Sequence, residues 1–180
     1  MKRHPQKTIV LTTLLLIILS AGACKDDTPP AGSRNPTPLD TTYWIDGRAF
    51  ELTRGKNETE AAPGSATVIT TAVYGPFATG DLNGDDVEDT AVILIHDPGG
   101  SGTFYYVAAA INYGGQYMGT HATLLGDRID PVDIEIENSV IEVTYHDRRP
   151  GDPMAAEVSV QKTLRLVLKN DILEAIPSNG

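Results

Sequence analysis

Apolar and polar residues alternate with a period of two through the C-terminal part of the chain, which is typical of strands that bury one face. The region has three such segments: a turn-forming pair at Asn138-Ser139 separates the first two, and another at Asn170-Asp171 follows the third. The apolar positions that share a face in each segment are Val132, Ile134 and Ile136, then Ile141, Val143 and Tyr145, then Leu164, Leu166 and Leu168. The pattern predicts three half-buried strands of an antiparallel sheet, with a tight turn between the first two.

Two segments in the middle of the chain, residues 90–96 and 103–111, are apolar at consecutive positions. Strands of this kind lie centrally in a sheet and are covered on both faces, or one face meets another layer. The glycine-rich residues 97–102 between them predict a hairpin loop.

The first predicted element of the folded part is a hairpin. Residues 43–45 and 48–52 flank Asp46-Gly47, a pair that readily adopts the positive φ angles of a type I′ turn. The β-branched residues 68–74 predict a further strand.

These elements define the predicted fold class. Only residues 57–62 favour a helix, and that helix is short. We therefore predict an all-β fold, with α+β including one minor helix as the alternative. The antiparallel sheet is expected to form a sandwich or a partly open barrel, as a single domain over residues 42–177.

The N-terminus has the pattern of an export signal. Lys2, Arg3 and Lys7 precede residues 8–20, a run of 13 residues without charge. That length suits the apolar region of a signal peptide and is short for a membrane-spanning helix.

The residues that follow, Ser20-Ala21-Gly22-Ala23-Cys24, resemble the bacterial lipobox, in which small residues precede a lipidated cysteine. The resemblance implies that residues 1–23 are removed and that Cys24 carries the lipid anchor. Residues 24–41 are rich in proline and predict a disordered tether. An ordinary cleaved signal with an incidental cysteine is the first alternative, and a retained membrane helix is the second.

Charge and cysteine content exclude several classes of function. Loss of residues 1–23 removes three basic residues and no acidic one, so the formal net charge changes from −10 to −13. Such a surface repels nucleic acids. Cys24 is the only cysteine, which excludes an intramolecular disulfide and a cysteine-based zinc site.

Residues 80–89, GDLNGDDVED, have the spacing of a calcium loop. Alternate residues of a tightly looped backbone can turn their oxygens onto one cation, and hard cations prefer such oxygens. The predicted ligands at positions 1, 3, 5, 7 and 9, the seventh through its backbone carbonyl, are Asp81, Asn83, Asp85, Val87 and Asp89. The alternative is an acidic, solvated turn that binds no ion.

This loop departs from the EF-hand at two positions. Asp86 stands at position 6, where glycine is usual, and Val92 stands at position 12 instead of the bidentate glutamate. The loop instead resembles the strand-flanked calcium loops of FG-GAP and integrin-type repeats. We expect calcium to bind weakly, with a dissociation constant of about 10⁻⁴ to 10⁻³ M, and to stabilise the structure.

Several further stretches resemble a family of uncharacterised bacterial lipoproteins and secreted proteins, whose domain is sometimes joined to META-type lipoprotein domains. The matching stretches are residues 43–47 (YWIDG), 61–66 (AAPGSA), 80–85 (GDLNGD), 99–106 (GGSGTFYY), 125–128 (LGDR) and 147–153 (DRRPGDP). The resemblance implies an envelope location and no particular activity. In that family a glycine usually replaces Asp86.

Candidate catalytic residues are few. Ser101 lies among glycines without the last glycine of a nucleophile elbow, and it would need His96 or His121 as a base. We expect surface positions for His96 and His146.

The sequence favours a non-enzymatic binding or structural module that is lipid-anchored in the bacterial envelope, on the outer membrane facing the periplasm or on the cell surface. Its expected partner is an envelope protein or a glycan. An envelope hydrolase with a site near Ser101 or the acidic loop is the alternative.

Overall fold

The computed structural model describes residues 37–177. The predictions for the signal peptide at residues 1–23, for Cys24 and for most of the tether lie outside these residues. The described part contains strands and no helix, which confirms the predicted all-β class. Its strands are β1 (Thr42–Ile45), β2 (Arg48–Glu51), β3 (Lys56–Glu60), β4 (Val68–Gly80), β5 (Asp89–Asp97), β6 (Phe104–Tyr113), β7 (Gln116–Gly119), β8 (Thr123–Asp127), β9 (Asp130–Glu137), β10 (Val140–Asp147), β11 (Val160–Lys169) and β12 (Ile172–Ile176).

The strands form three antiparallel groups. β1 and β2 are a separate hairpin, and β9 to β12 form a four-stranded sheet in the order β12-β11-β10-β9. The six-stranded sheet has the order β3-β4-β5-β6-β7, and β8 also pairs with β6. β7 occupies the C-terminal half of the β6 edge and β8 the N-terminal half.

The tight turns have the backbone geometry that their residues predict. Asp46 and Gly47 have φ angles of 49° and 77°, so both central residues of the first hairpin are left-handed, as a type I′ turn requires. The other two predicted turns repeat this geometry at Asn138 (52°), Ser139 (59°), Asn170 (49°) and Asp171 (62°).

The central strands β5 and β6 are buried on both faces, as their continuous apolar sequence predicts. Ile93 and Val107 point into a core shared with the four-stranded sheet, where Ile141 and Leu166 are also fully buried. The neighbouring positions on the opposite face pack against the β1–β2 hairpin in a second core. The six-stranded sheet is therefore the middle layer between two hydrophobic cores.

The helix predicted near residues 57–62 is wrong. Lys56–Glu60 is strand β3, which pairs with the first half of β4. The segment KNETE has no apolar stripe to bury, so helix propensity alone does not stabilise it. Pairing with the edge of β4 satisfies its backbone, and most of its side chains remain exposed.

One apolar row of the C-terminal sheet is interrupted. Ile134 is buried and Ile136 packs against the core, but Val132 is 48 % exposed. The cause is a bulge in β9, because Pro131 pairs with Tyr145 and Asp133 with Thr144, which leaves Val132 as an extra residue.

The two larger sheets also approach each other along β4 and β9. Residues 74–76 of β4 have no partners in β5, and this bulge includes Gly75 with a φ of 69°. Beyond it, β4 lies beside β9, where a Cβ atom on Gly80 would stand 2.7 Å from Cγ2 of Ile136. One sheet is strongly curled, which agrees with the predicted sandwich or partly open barrel.

Residues 120–122 connect the hairpin to the four-stranded sheet. His121 forms parallel bridges with Trp44 of β1 and with Ile172 of β12. The N–H of Trp44 donates to the carbonyl of Thr120 (3.2 Å), and the N–H of Ala122 donates to the carbonyl of Trp44 (2.8 Å).

Among residues 37–177, no helix is long and apolar enough to cross a membrane.

Candidate functional site

The acidic loop joins the end of β4 to the start of β5, at one end of the six-stranded sheet. Leu82 fixes the loop to the protein, because its side chain is buried in the core shared with the four-stranded sheet. Gly84 and Asp86 have φ angles of 82° and 64°, so position 6 has the left-handed backbone that a calcium loop uses even though it is an aspartate.

Asp81 organises the first half of the loop. Its Oδ1 accepts hydrogen bonds from the N–H groups of Gly84 (2.7 Å) and Asp85 (3.3 Å), and its Oδ2 accepts one from the N–H of Asp86 (3.0 Å). These bonds, first that from Gly84, hold the pKa of Asp81 below its usual value. The carboxylate is therefore ionised and aimed into the loop.

Asn83 and Asp85 are linked to each other and to the backbone. The Nδ2 of Asn83 donates to Oδ2 of Asp85 (3.0 Å), while the N–H of Asp85 donates to Oδ1 of Asn83 (3.0 Å). The N–H of Val87 donates to Oδ1 of Asp85 (2.9 Å). Hydrogen bonding thus brings the first three predicted ligand side chains into one tight turn.

Asp89 is completely buried at the start of β5. Its Oδ2 accepts from the N–H of Leu82 (3.0 Å) and its Oδ1 from the N–H of Asn112 in β6 (2.8 Å). Burial raises the pKa of Asp89, the two N–H donors oppose that rise, and the charges of Asp85 and Asp81 add to it. Asp89 therefore joins the loop to the neighbouring strand.

Two residues outside the loop complete its support, and local spacing does not identify them. The Nδ2 of Asn112 donates to the carbonyl of Glu88 (3.2 Å). The hydroxyl of Ser139, in the β9–β10 turn, donates to the carbonyl of Asp81 (2.8 Å). Both residues lie far from the loop in sequence, so only the fold brings them to it.

The hydrogen bonds leave acceptor capacity for a cation. An ionised carboxylate has about four lone-pair positions, and Asp81 uses three of them while Asp85 and Asp89 each use two. Within residues 37–177 no group of three or more His, Cys, Asp or Glu side chains has the arrangement of a metal site. Calcium binding at this loop stays a prediction.

The histidines are placed differently from the triad that Ser101 would need. The Nδ1 atom of His96 lies 2.9 Å from Oγ1 of Thr71, and the ring of His121 stacks on Trp44 with centroids 5.7 Å apart. Ser101 is exposed in the β5–β6 loop, and no hydrogen bond within the described part joins it to either ring.

The expected surface position of His96 is wrong, because it is only 9 % exposed. Its ring packs edge-on against Phe50 at 5.1 Å, beneath the β1–β2 hairpin. His146 does lie on the outer face of β10, where its Nδ1 is 3.5 Å from Oδ2 of Asp130.

Comparisons of the whole chain with known protein families, with curated proteins and with solved structures found no match.

Proposed function

We propose that this protein is a bacterial envelope lipoprotein whose all-β domain acts as a binding or structural module, not as an enzyme. The observation that carries the proposal is the leader, in which an uncharged 13-residue run follows three basic residues and is itself followed by Ala21-Gly22-Ala23 and the lone Cys24. Lipid on that cysteine would hold the domain at the membrane, on the outer membrane facing the periplasm or at the cell surface.

The environments of the histidines support a binding role over a catalytic one. Each of the three histidines in residues 37–177 contacts a neighbour that fixes its ring: His96 contacts Thr71, His121 contacts Trp44, and His146 contacts Asp130. A general base needs a nucleophile that a substrate can reach, whereas the Thr71 hydroxyl beside His96 is fully buried. The proposed partner is an envelope protein or a glycan, and the acidic charge of the protein disfavours nucleic acid.

Calcium at the acidic loop is the second part of the proposal. Asp81, Asn83 and Asp85 converge on one turn, and Asp89 ties that turn to β6 through Asn112. A cation held there, with the carbonyl of Val87 as a further ligand, would offset repulsion among the carboxylates. It would stiffen the β4–β5 connection and take no part in catalysis.

The anchor is tested by lipid labelling in cells. Cys24→Ser should abolish incorporation of labelled palmitate and release the protein from the membrane fraction, because the thiol is the attachment point. Ser33→Ala, another small change in the proposed tether, should leave both unchanged. Equal labelling of the Cys24→Ser protein would contradict the anchor, as would absence of label in the parent chain.

The metal is tested by thermal unfolding of the full chain with calcium and with a chelator. A site with the expected affinity stabilises the folded state by about 1.4 to 2.7 kcal/mol at about 10 mM calcium, so the melting temperature should rise. Asp81→Asn with Asp85→Asn keeps one acceptor oxygen on each side chain, removes the second oxygen and two charges, and should abolish the rise.

Asp133→Asn with Glu157→Gln is the matched control, since it removes two exposed acidic charges elsewhere. The control should respond to calcium like the parent. If calcium does not change the melting temperature of the parent protein, the metal proposal is wrong. The loop is then an acidic turn held by hydrogen bonds.

A further inference from the structure

One pocket of this acidic domain is lined by as many basic as acidic residues. Residues 37–177 contain 22 acidic and nine basic residues, counted from the sequence. Three of the nine basic side chains, Arg148, Arg149 and Lys162, line one pocket of about 400 Å³, together with the acidic residues Asp127, Asp147 and Asp152. The pocket lies between the end of β8, the β10–β11 loop and the start of β11, and does not include the acidic loop.

Arg148 is held in place by backbone carbonyls and not by a carboxylate. Its Nε donates to the carbonyl of Ala156 (3.0 Å) and its Nη1 to the carbonyl of Asp127 (3.2 Å). None of the ion pairs within residues 37–177 includes Arg148. A guanidinium has five N–H donors, so this rigid cation keeps free donors, and its charge also acts on the nearby carboxylates of Asp127 and Asp147.

The loop that carries the second arginine is also shaped by hydrogen bonds. The N–H of Asp152 donates to the carbonyl of Arg149 (3.0 Å), Gly151 has a φ of 92°, and the N–H of Ser159 donates to the carbonyl of Asp147 (3.1 Å). The side chain of Arg149 is exposed, and within the described residues it forms no hydrogen bond or ion pair. Two neighbouring guanidinium groups are therefore available to one anionic group.

The same pocket also presents acceptors. Asp147 receives a hydrogen bond from Nζ of Lys162 (2.7 Å), and Asp127 forms a two-point contact with Arg128, with both distances 3.1 Å. These partners, Lys162 and Arg128 respectively, hold the pKa values of Asp147 and Asp127 below the usual range. Both carboxylates stay ionised and can accept further hydrogen bonds from a ligand.

We propose that this pocket binds a sugar acid, with its carboxylate on Arg148 and Arg149 and its hydroxyl groups on Asp127 and Asp147. Planar guanidinium groups match a carboxylate in geometry and charge. Because the aspartates also line the pocket, a monoanion with hydroxyl donors suits it better than a doubly charged phosphate.

The size and the remaining surface of the pocket agree with this ligand class. About 400 Å³ falls within the range of small-molecule sites. Pro150 and Met154 add apolar surface on which the C–H face of a sugar ring can pack. This inference rests on the proposed role as a binding module, but it requires neither the lipid on Cys24 nor calcium at Asp81.

The test is isothermal titration of the detergent-solubilised full chain with glucuronate, glucose and inorganic phosphate at physiological ionic strength. Glucuronate should bind saturably, glucose should not bind, and phosphate should bind more weakly than glucuronate. Arg149→Gln should weaken glucuronate binding about tenfold, since it removes a charge-assisted contact. Arg148→Lys keeps the charge but loses the two-point geometry, and should also weaken binding.

Lys56→Gln is the matched control, because it removes one exposed positive charge on β3, outside the pocket lining. It should bind glucuronate like the parent. The proposal is overturned by any of four results: no saturable binding of glucuronate, equal binding of glucose, tighter binding of phosphate, or equal losses in Lys56→Gln and Arg149→Gln. Palmitate labelling and the calcium-dependent rise in melting temperature report on the anchor and the metal separately, so a failure here leaves those proposals standing.

Discussion

At the scale of single residues, His96 is buried in the structure although the neighbouring sequence predicts an exposed position. It follows an apolar run at the end of β5 and precedes Asp97, which suggests an exposed strand end. The β1–β2 hairpin covers it, and its ring contacts Phe50 and Thr71. Burial lowers the pKa of His96, and the charge of Arg48 lowers it further, whereas Asp46 and Asp97 oppose the shift.

This shift predicts a pH dependence of stability. The folded state holds His96 with a pKa below the unfolded value of 6.5, so its contribution is fully present above pH 6.5 and is lost as pH falls through the folded pKa. His96→Gln cannot ionise. The free energy of unfolding, measured in urea between pH 7 and pH 5 (roughly the window of histidine titration), should therefore fall more steeply in the parent than in this variant.

His121→Gln is the control, because it removes an exposed histidine and leaves His96 in place. Its pH profile should run parallel to that of the parent. Parallel profiles for the parent and His96→Gln would instead show that the buried ring does not control stability in this range. The remaining pH dependence comes from carboxylates, which all three proteins share.

At the scale of elements, the contact between β4 and β9 depends on one glycine. The methyl Cγ2 of Ile136 occupies the space where a side chain on Gly80 would begin, at 2.7 Å from its Cβ position. A contact this close requires one strand to shift, because Cγ2 of isoleucine lies next to the backbone and cannot swing away. Gly80 thus permits the two sheets to meet along this edge.

Gly80→Ala should lower the free energy of unfolding by about 1 to 3 kcal/mol through overpacking. Ile136→Ala alone also destabilises, because it leaves a cavity. The double variant should lose less than the sum of the two single losses, by more than about 0.5 kcal/mol, since each change relieves the other.

Gly100→Ala is the matched control for this cycle, because no heavy atom lies within 4 Å of its Cβ position. Its stability in urea should stay close to that of the parent. Strict additivity of Gly80→Ala and Ile136→Ala would refute the direct contact.

The elements that the sequence predicts well are those whose signal is local. Alternation identifies β10 and β11, continuous apolar runs identify β5 and β6, and Asp46-Gly47 identifies the first turn. The short strand β3 has no apolar face and was predicted as a helix, because only its partner β4 makes it a strand. The bulge that exposes Val132 depends likewise on pairing with β10.

The candidate sites also differ in how far local sequence predicts them. The spacing of Asp81, Asn83 and Asp85 predicts a shared turn, and these residues do converge there. Their supports Asn112 and Ser139 lie far from the loop in sequence, so no local pattern identifies them. Most of the Arg148 pocket comes from residues 147–154, but Asp127 and Lys162 reach it only through the fold.

At the scale of the whole molecule, three layers form from strands that mostly pair with their neighbours in sequence. Hairpins build each sheet, and the two cores lie on opposite faces of β5 and β6. Which sheet covers which face is set by shape complementarity between layers and not by any one strand, so the sequence predicts the class of fold and leaves the layer order open.

The bridges of His121 to Trp44 and Ile172 have a consequence for chain connectivity. They place the first and last strands of the domain on either side of one residue, so the strand axes are separated by roughly 10 Å, twice the usual spacing. Both bridges are parallel, so β1 and β12 run in the same direction, and the start of β1 at Thr42 lies roughly 20 Å from the end of β12 at Ile176 along the strands. A flexible linker of about ten residues is long enough to join these two ends. The domain can therefore be circularly permuted, with new ends opened at the exposed Gly114-Gly115 turn, without breaking a single strand pair.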